Sequence, residues 1–122
     1  MAQFVYVQTR GREAPERCFT VFFMATVARA LDDDAAIIFT QTGLSIFSPG
    51  FAQTQRALDD SGKTLADFIR NAYDQGVIFY GCRLSLPLVK IDPSDISWPL
   101  TWIGAADFHS LLLEADRTVY LS

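Results

Sequence analysis

The sequence holds two cysteines, Cys18 and Cys82, and a single histidine, His109. Cys82 is placed best for chemistry. It follows the apolar run Val77-Ile78-Phe79-Tyr80 and Gly81, and it opens a short helical turn. A sulfur at such a junction faces unpaired N–H groups and the partial positive charge of the turn. Arg83 adds a cation next door, and Ser85, three residues on, is able to donate a hydrogen bond on the same face. Each feature favours thiolate over thiol and so makes a nucleophile, while Gly81 leaves room for another group to approach. The same position also suits a small buried hydrophobe at a strand end, and position alone does not choose. Cys18 lies inside an apolar helical stretch with only Arg17 as a neighbouring cation, and reads as packing.

No second catalytic group stands out. His109 falls on the polar or interface side of the last long helix, where a structural or solvated role is expected. Arg10 and Arg12 flank Gly11 in a turn that is expected to be solvated, although such a pair attracts anions. Trp98 and Trp102 sit in a proline-bearing loop, where large aromatics serve either as partner anchors or as cover for a core edge. The acidic run Asp32-Asp33-Asp34 reads as a solvated corner, since adjacent carboxylates cannot all face one ion without a looped backbone. No metal spacing, phosphate loop, dinucleotide fingerprint or nucleophile elbow is present, so no cofactor is expected.

Apolar runs alternating with helical patterns position these groups. Phe4-Val5-Tyr6-Val7 predicts a first strand. Pro15 to Leu31 predicts a helix with apolar residues nearly all round, more than one sheet face can cover; a second subunit is expected on its outer side. Ala35-Ala36-Ile37-Ile38-Phe39 predicts a strand buried on both faces. Residues 44–63 are the least regular, with a short helix expected over Gln53 to Asp60. Thr64-Leu65-Ala66-Asp67 has the form of a capping box, and Leu65, Phe68, Ile69, Ala72 and Tyr73 share one helical face up to a stop at Gly76. A third strand at Val77 to Tyr80 follows, then a short helical segment limited by Pro87 and Asp92-Pro93. A brief fourth strand within Ser94 to Trp102, a helix over Gly104 to Glu114 and a last strand at Thr118 to Leu121 complete the pattern. Strands joined by helical crossovers predict one three-layer α/β/α domain over residues 1–122, with a mostly parallel sheet of about five strands. Ligands of such sheets gather beyond the strands' carboxyl ends, here Thr9-Arg10, Gln41-Thr42 and Gly81-Cys82.

Composition narrows the partners. Half the chain is hydrophobic, and 10 basic against 14 acidic residues leave a net charge of −4. Without clustered cations, neither a nucleic-acid backbone nor an anionic membrane surface is expected as partner. The apolar stretch Cys18 to Ala28 is too short for a bilayer span, and the opening MAQFVYVQT lacks the charged region and cleavage site of a signal peptide. A cytoplasmic location with reduced thiols is expected.

Three stretches carry a resemblance to a known family: FVYVQT with the long apolar helix after it, GVIFYGCRLSLPLVKI, and IGAADFHSLLLEADRTVYLS. They are similar to the opening strand and helix, the strand-cysteine-helix segment and the closing helix and strand of the DsrE/DsrF-like (DsrEFH superfamily) sulfur-relay proteins, which include the TusB, TusC and TusD subunits. Residues 43–64 match that pattern poorly. The resemblance implies a cytoplasmic homo- or hetero-oligomer (trimer, tetramer or hexamer) that carries sulfur as a cysteine persulfide. Cys82 alone matches the acceptor position. The extra cysteine of some members is absent, which favours a one-thiol carrier over a dithiol catalyst. The expected activity is sulfur transfer: Cys82, with Arg83 and Ser85 as candidate thiolate stabilisers, takes sulfur from a donor protein and passes it to an acceptor such as a TusA-like carrier. Some members lack the acceptor, so a non-catalytic interaction subunit is the alternative. A peroxide-reducing thiol protein ranks last, for want of a resolving cysteine.

Overall fold

A computed structural model describes residues 1–122. Five strands, β1 (Gln3–Gln8), β2 (Asp34–Phe39), β3 (Ile78–Cys82), β4 (Thr101–Ile103) and β5 (Arg117–Leu121), form one sheet in the order β4-β3-β2-β1-β5. Every neighbouring pair is parallel. The helices are α1 (Thr20–Ala30), α2 (Phe51–Thr54), α3 (Leu65–Asp74), α4 (Leu86–Val89) and α5 (Ala105–Glu114). Because all strands run the same way, their carboxyl ends meet along one edge, which brings Gln8, Phe39 and Cys82 to the same side of the molecule.

Side chains alternate across a strand, and β2 shows how both faces become buried. Ala35, Ile37 and Phe39 enter the larger core with Val21, Phe22 and Ala25 of α1 and Leu65, Ile69 and Ala72 of α3. Ile38 turns the other way and joins Val5 and Ile103 beneath Phe108, Leu111 and Leu112 of α5. That two-sided burial explains the unbroken apolar run. Phe22, Phe39, Phe47 and Phe79 form the centre of the larger core, with ring centroids 4.6 Å apart for Phe39–Phe47 and 5.8 Å for Phe39–Phe79. Such edge-to-face pairs add to the area they bury.

The capping box is present. Asp67 N–H donates to Thr64 Oγ1, and Thr64 N–H donates to the Asp67 carboxylate. Gly76 ends this region at φ 95°, a left-handed position that glycine fills without strain. No helix is long and apolar enough to cross a membrane.

Several expectations need correction. The first helix is not continuous from Pro15: a 3₁₀ turn at Pro15–Arg17 precedes α1. The buried Gln8 side chain donates to the carbonyls of Arg10 and Arg17, which fixes that turn from the end of β1. The short helix expected over Gln53 to Asp60 begins earlier, at Phe51, and stops at Thr54. Gln41–Phe47 winds as 3₁₀ and α2 is a single turn, after which Gly62 (φ 75°) reverses the chain and Arg56 bridges to Thr64. β3 runs on through Cys82, and Pro87 lies inside α4, near its start, where it lacks no needed hydrogen bond. The acidic corner also does more than face water: Asp33 accepts from Ala2 N–H at 2.9 Å, and Asp34 pairs with Arg29 at 3.2 Å.

Candidate functional site

Cys82 is the last residue of β3 and lies opposite Ile103 of β4. Its backbone stays extended and hands over to a 3₁₀ turn at Arg83–Ser85, which leads into α4. The side chain is 4% exposed. It lines an open groove of about 520 Å³ together with Gln41, Leu84, Ser85, Leu88 and His109. The thiol is therefore shielded by its own strand end and turn, yet it borders a space that opens to solvent.

Ser85 stands in this groove beside Cys82, but its hydroxyl is committed elsewhere. Instead of reaching the sulfur, Ser85 Oγ accepts the N–H of Gln41 at 2.7 Å and lies 3.4 Å from the Thr40 hydroxyl. Arg83 is exposed, forms no ion pair, and does not line the groove. The space beside Gly81 is already taken: a Cβ there would meet the Trp102 ring at 2.8 Å. Gly81 thus admits Trp102 of β4 rather than a substrate.

His109 was expected away from any chemistry, and the structure brings it into the Cys82 groove. Ala105, Phe108, His109 and Leu112 of α5 all line that space. Their spacing is one helical face, so a single polar residue inside an apolar stripe was the signal available in the sequence. Cys82 and His109 are the two ionisable side chains that line the groove. The two tryptophans cover the margin of the larger core, with the Arg70 guanidinium 5.7 Å from the Trp98 ring; this is the core-edge role.

Cys18 has the opposite setting. It is fully buried, and its S–H donates to the carbonyls of Gly11 at 3.3 Å and Ala14 at 3.6 Å. Burial first, then the carboxylates of Glu13 and Glu16, push this thiol up to about 12. Nearby, Arg10, Glu13, Thr42 and Ser122 line a second, polar groove that shares Gln41 and Leu88 with the first. Partial burial pushes the Glu13 carboxyl upward, but hydrogen bonds from Thr42 and Gly11 and the charge of Arg10 hold it below its ordinary value. Arg12 is exposed, and its N–H donates to Ser45 Oγ. No group of three or more histidine, cysteine, aspartate or glutamate side chains is arranged to hold a metal ion.

A sequence profile described as the DsrE/DsrF-like family matches residues 2–121. No curated protein sequence matches. Among solved structures, the chain is similar to the ychN protein from E. coli, with a TM-score of 0.79 and 15% identity; the match covers 99% of this chain and 100% of that one. At that identity the likeness speaks for the fold, a five-stranded parallel sheet between helices.

Proposed function

Given that the chain belongs to the DsrE/DsrF-like family, which is associated with sulfur relay, we propose that it is a sulfur carrier or sulfurtransferase working through Cys82. In this reading the Cys82 thiol loses its proton to solvent, and the thiolate attacks the outer sulfur of a donor persulfide. A new S–S bond forms, the donor's S–S bond breaks, and the donor leaves as a thiolate with the electron pair of the broken bond. Sulfur is then held as Cys82–S–SH until an acceptor thiolate, such as that of a TusA-like protein, takes it by the same exchange. One thiol suffices for both steps. Ser85 contributes by bracing the groove wall through its bond to Gln41 N–H, whereas Arg83 is adjacent in the chain but lies outside the groove.

The observation that supports this reading most is the groove itself: a free cysteine at the carboxyl end of a parallel strand, beside an open space, is where α/β sheets gather their ligands. Leu84 and Leu88 are 71% and 60% exposed at that groove, an apolar rim suited to the surface of a partner protein rather than to nucleic acid or lipid. We place the protein in the cytoplasm, as a homo-oligomer joined through the outer side of α1.

The low exposure of Cys82 favours a second reading, in which the thiol is packing and the chain is a structural or interaction subunit of a relay complex. Native alkylation separates the two. The carrier reading expects iodoacetamide to label Cys82 without denaturant; labelling only after unfolding supports the subunit reading.

A further inference from the structure

Gln41 sits at the turn between β2 and the 3₁₀ segment with φ 53°, a left-handed conformation that strains any residue bearing a Cβ. Such strain persists only where surrounding structure enforces it, and here the enforcing contact is visible. Ser85 Oγ, three residues after Cys82, accepts the Gln41 N–H at 2.7 Å. Thr40, just before the turn, lies 3.4 Å from the same oxygen. The hydroxyls of Thr40 and Ser85 are thus turned toward each other, and the exposed Gln41 side chain enters no hydrogen bond with the rest of the chain. Gln41 lines the Cys82 groove and also the polar groove next to it. No lysine or arginine lines the Cys82 groove, so a dianionic sulfur compound finds no counter-charge there. A neutral amide with two N–H donors suits the terminal sulfur of a hydropersulfide.

We propose that Gln41 is a substrate-positioning residue, held in its strained turn by Ser85 so that its amide donates to the terminal sulfur of a hydropersulfide arriving at Cys82. This rests on the carrier reading of Cys82. It also gives Ser85 a role in sulfur chemistry at one remove, through the backbone of Gln41. Gln41 takes no proton in the exchange; it holds the sulfur in line with the attacking thiolate.

The test compares wild type, Gln41→Gly and Gln41→Asn, using a small-molecule hydropersulfide (cysteine hydropersulfide) as sulfur donor and iodoacetamide as a probe of plain access. Glycine adopts φ 53° freely, so Gln41→Gly is expected to fold and to be alkylated at Cys82 at the wild-type rate. Its initial rate of sulfur loading is expected to fall about fivefold, the loss of roughly one hydrogen bond. Gln41→Asn, which tolerates the left-handed region and keeps an amide, is expected to recover part of that rate. Equal loading in wild type and Gln41→Gly overturns the inference, as does a matching loss of alkylation, which would assign the effect to access. A wild type that loads no sulfur at all overturns the carrier reading and this inference with it.

Discussion

Within one small chain, two buried thiols meet different surroundings. Cys18 is sealed in the larger core just before α1 with its S–H on two carbonyls, whereas Cys82 borders a groove. The raised Cys18 value makes a pH prediction. Below about 9, the ordinary thiol value, the sulfur is neutral in both folded and unfolded chains, and its stabilisation is complete. Between about 9 and about 12 the unfolded thiol ionises while the folded one resists, so stability falls as pH rises through that window. Urea unfolding of wild type and Cys18→Ala checks it: the difference between their unfolding free energies is expected to shrink as pH rises above about 9. A constant difference contradicts the assignment. At this scale the sequence was legible for Cys18, whose apolar neighbours are adjacent in the chain. It was not legible for Ser85 and His109. The partner of Ser85 lies 44 positions away on another strand end, and the groove that holds His109 is assembled from three separate segments.

Helices and strands carried their own marks wherever local pattern and tertiary burial agree. The β2 run is apolar on both faces because both faces are covered, and Phe39 at its end shows what that burial stabilises. Its ring touches those of Phe22, Phe47 and Phe79. Phe39→Ala is expected to destabilise the fold by about 3–5 kcal/mol, the transfer term plus the cavity left behind; urea unfolding measures it, and a loss below about 1 kcal/mol would contradict the central place given to this cluster. The Thr64 cap is a smaller device: Thr64→Ala is expected to cost about 1 kcal/mol, because the side-chain bonds between the Thr64 hydroxyl and Asp67 are lost. Where contacts beyond one helical turn decide, the local pattern misled. Gln8 bonds the Arg17 carbonyl and fixes the turn before α1, and the bridge between Arg56 and Thr64 holds the chain after Thr54 out of a helix.

The molecule as a whole leaves apolar surface on both sides of its sheet. Phe23, Met24, Val27 and Leu31 form an exposed stripe on and just after α1, with Phe23 58% and Leu31 71% exposed. The surplus of apolar residues in this stretch was readable from sequence, since one sheet face cannot bury a helix that is apolar nearly all round. On the other side, α5 covers Val5, Ile38 and Ile103, and Leu84 and Leu88 flank the Cys82 groove. Self-association through α1 would leave that groove free for a partner protein. Sedimentation at micromolar concentration is therefore expected to show an oligomer, and Phe23→Glu is expected to yield a smaller species with unchanged circular dichroism. A monomeric wild type would contradict this assembly.

Whether sulfur resides on Cys82 is measured directly by intact-mass spectrometry after treatment with a persulfide or polysulfide donor. Wild type and Cys18→Ser are expected to gain the mass of one sulfur atom, located by peptide mapping on the segment that contains Cys82, and Cys82→Ser to gain none. Retention of the added mass in Cys82→Ser, or its loss in Cys18→Ser alone, would contradict the assignment.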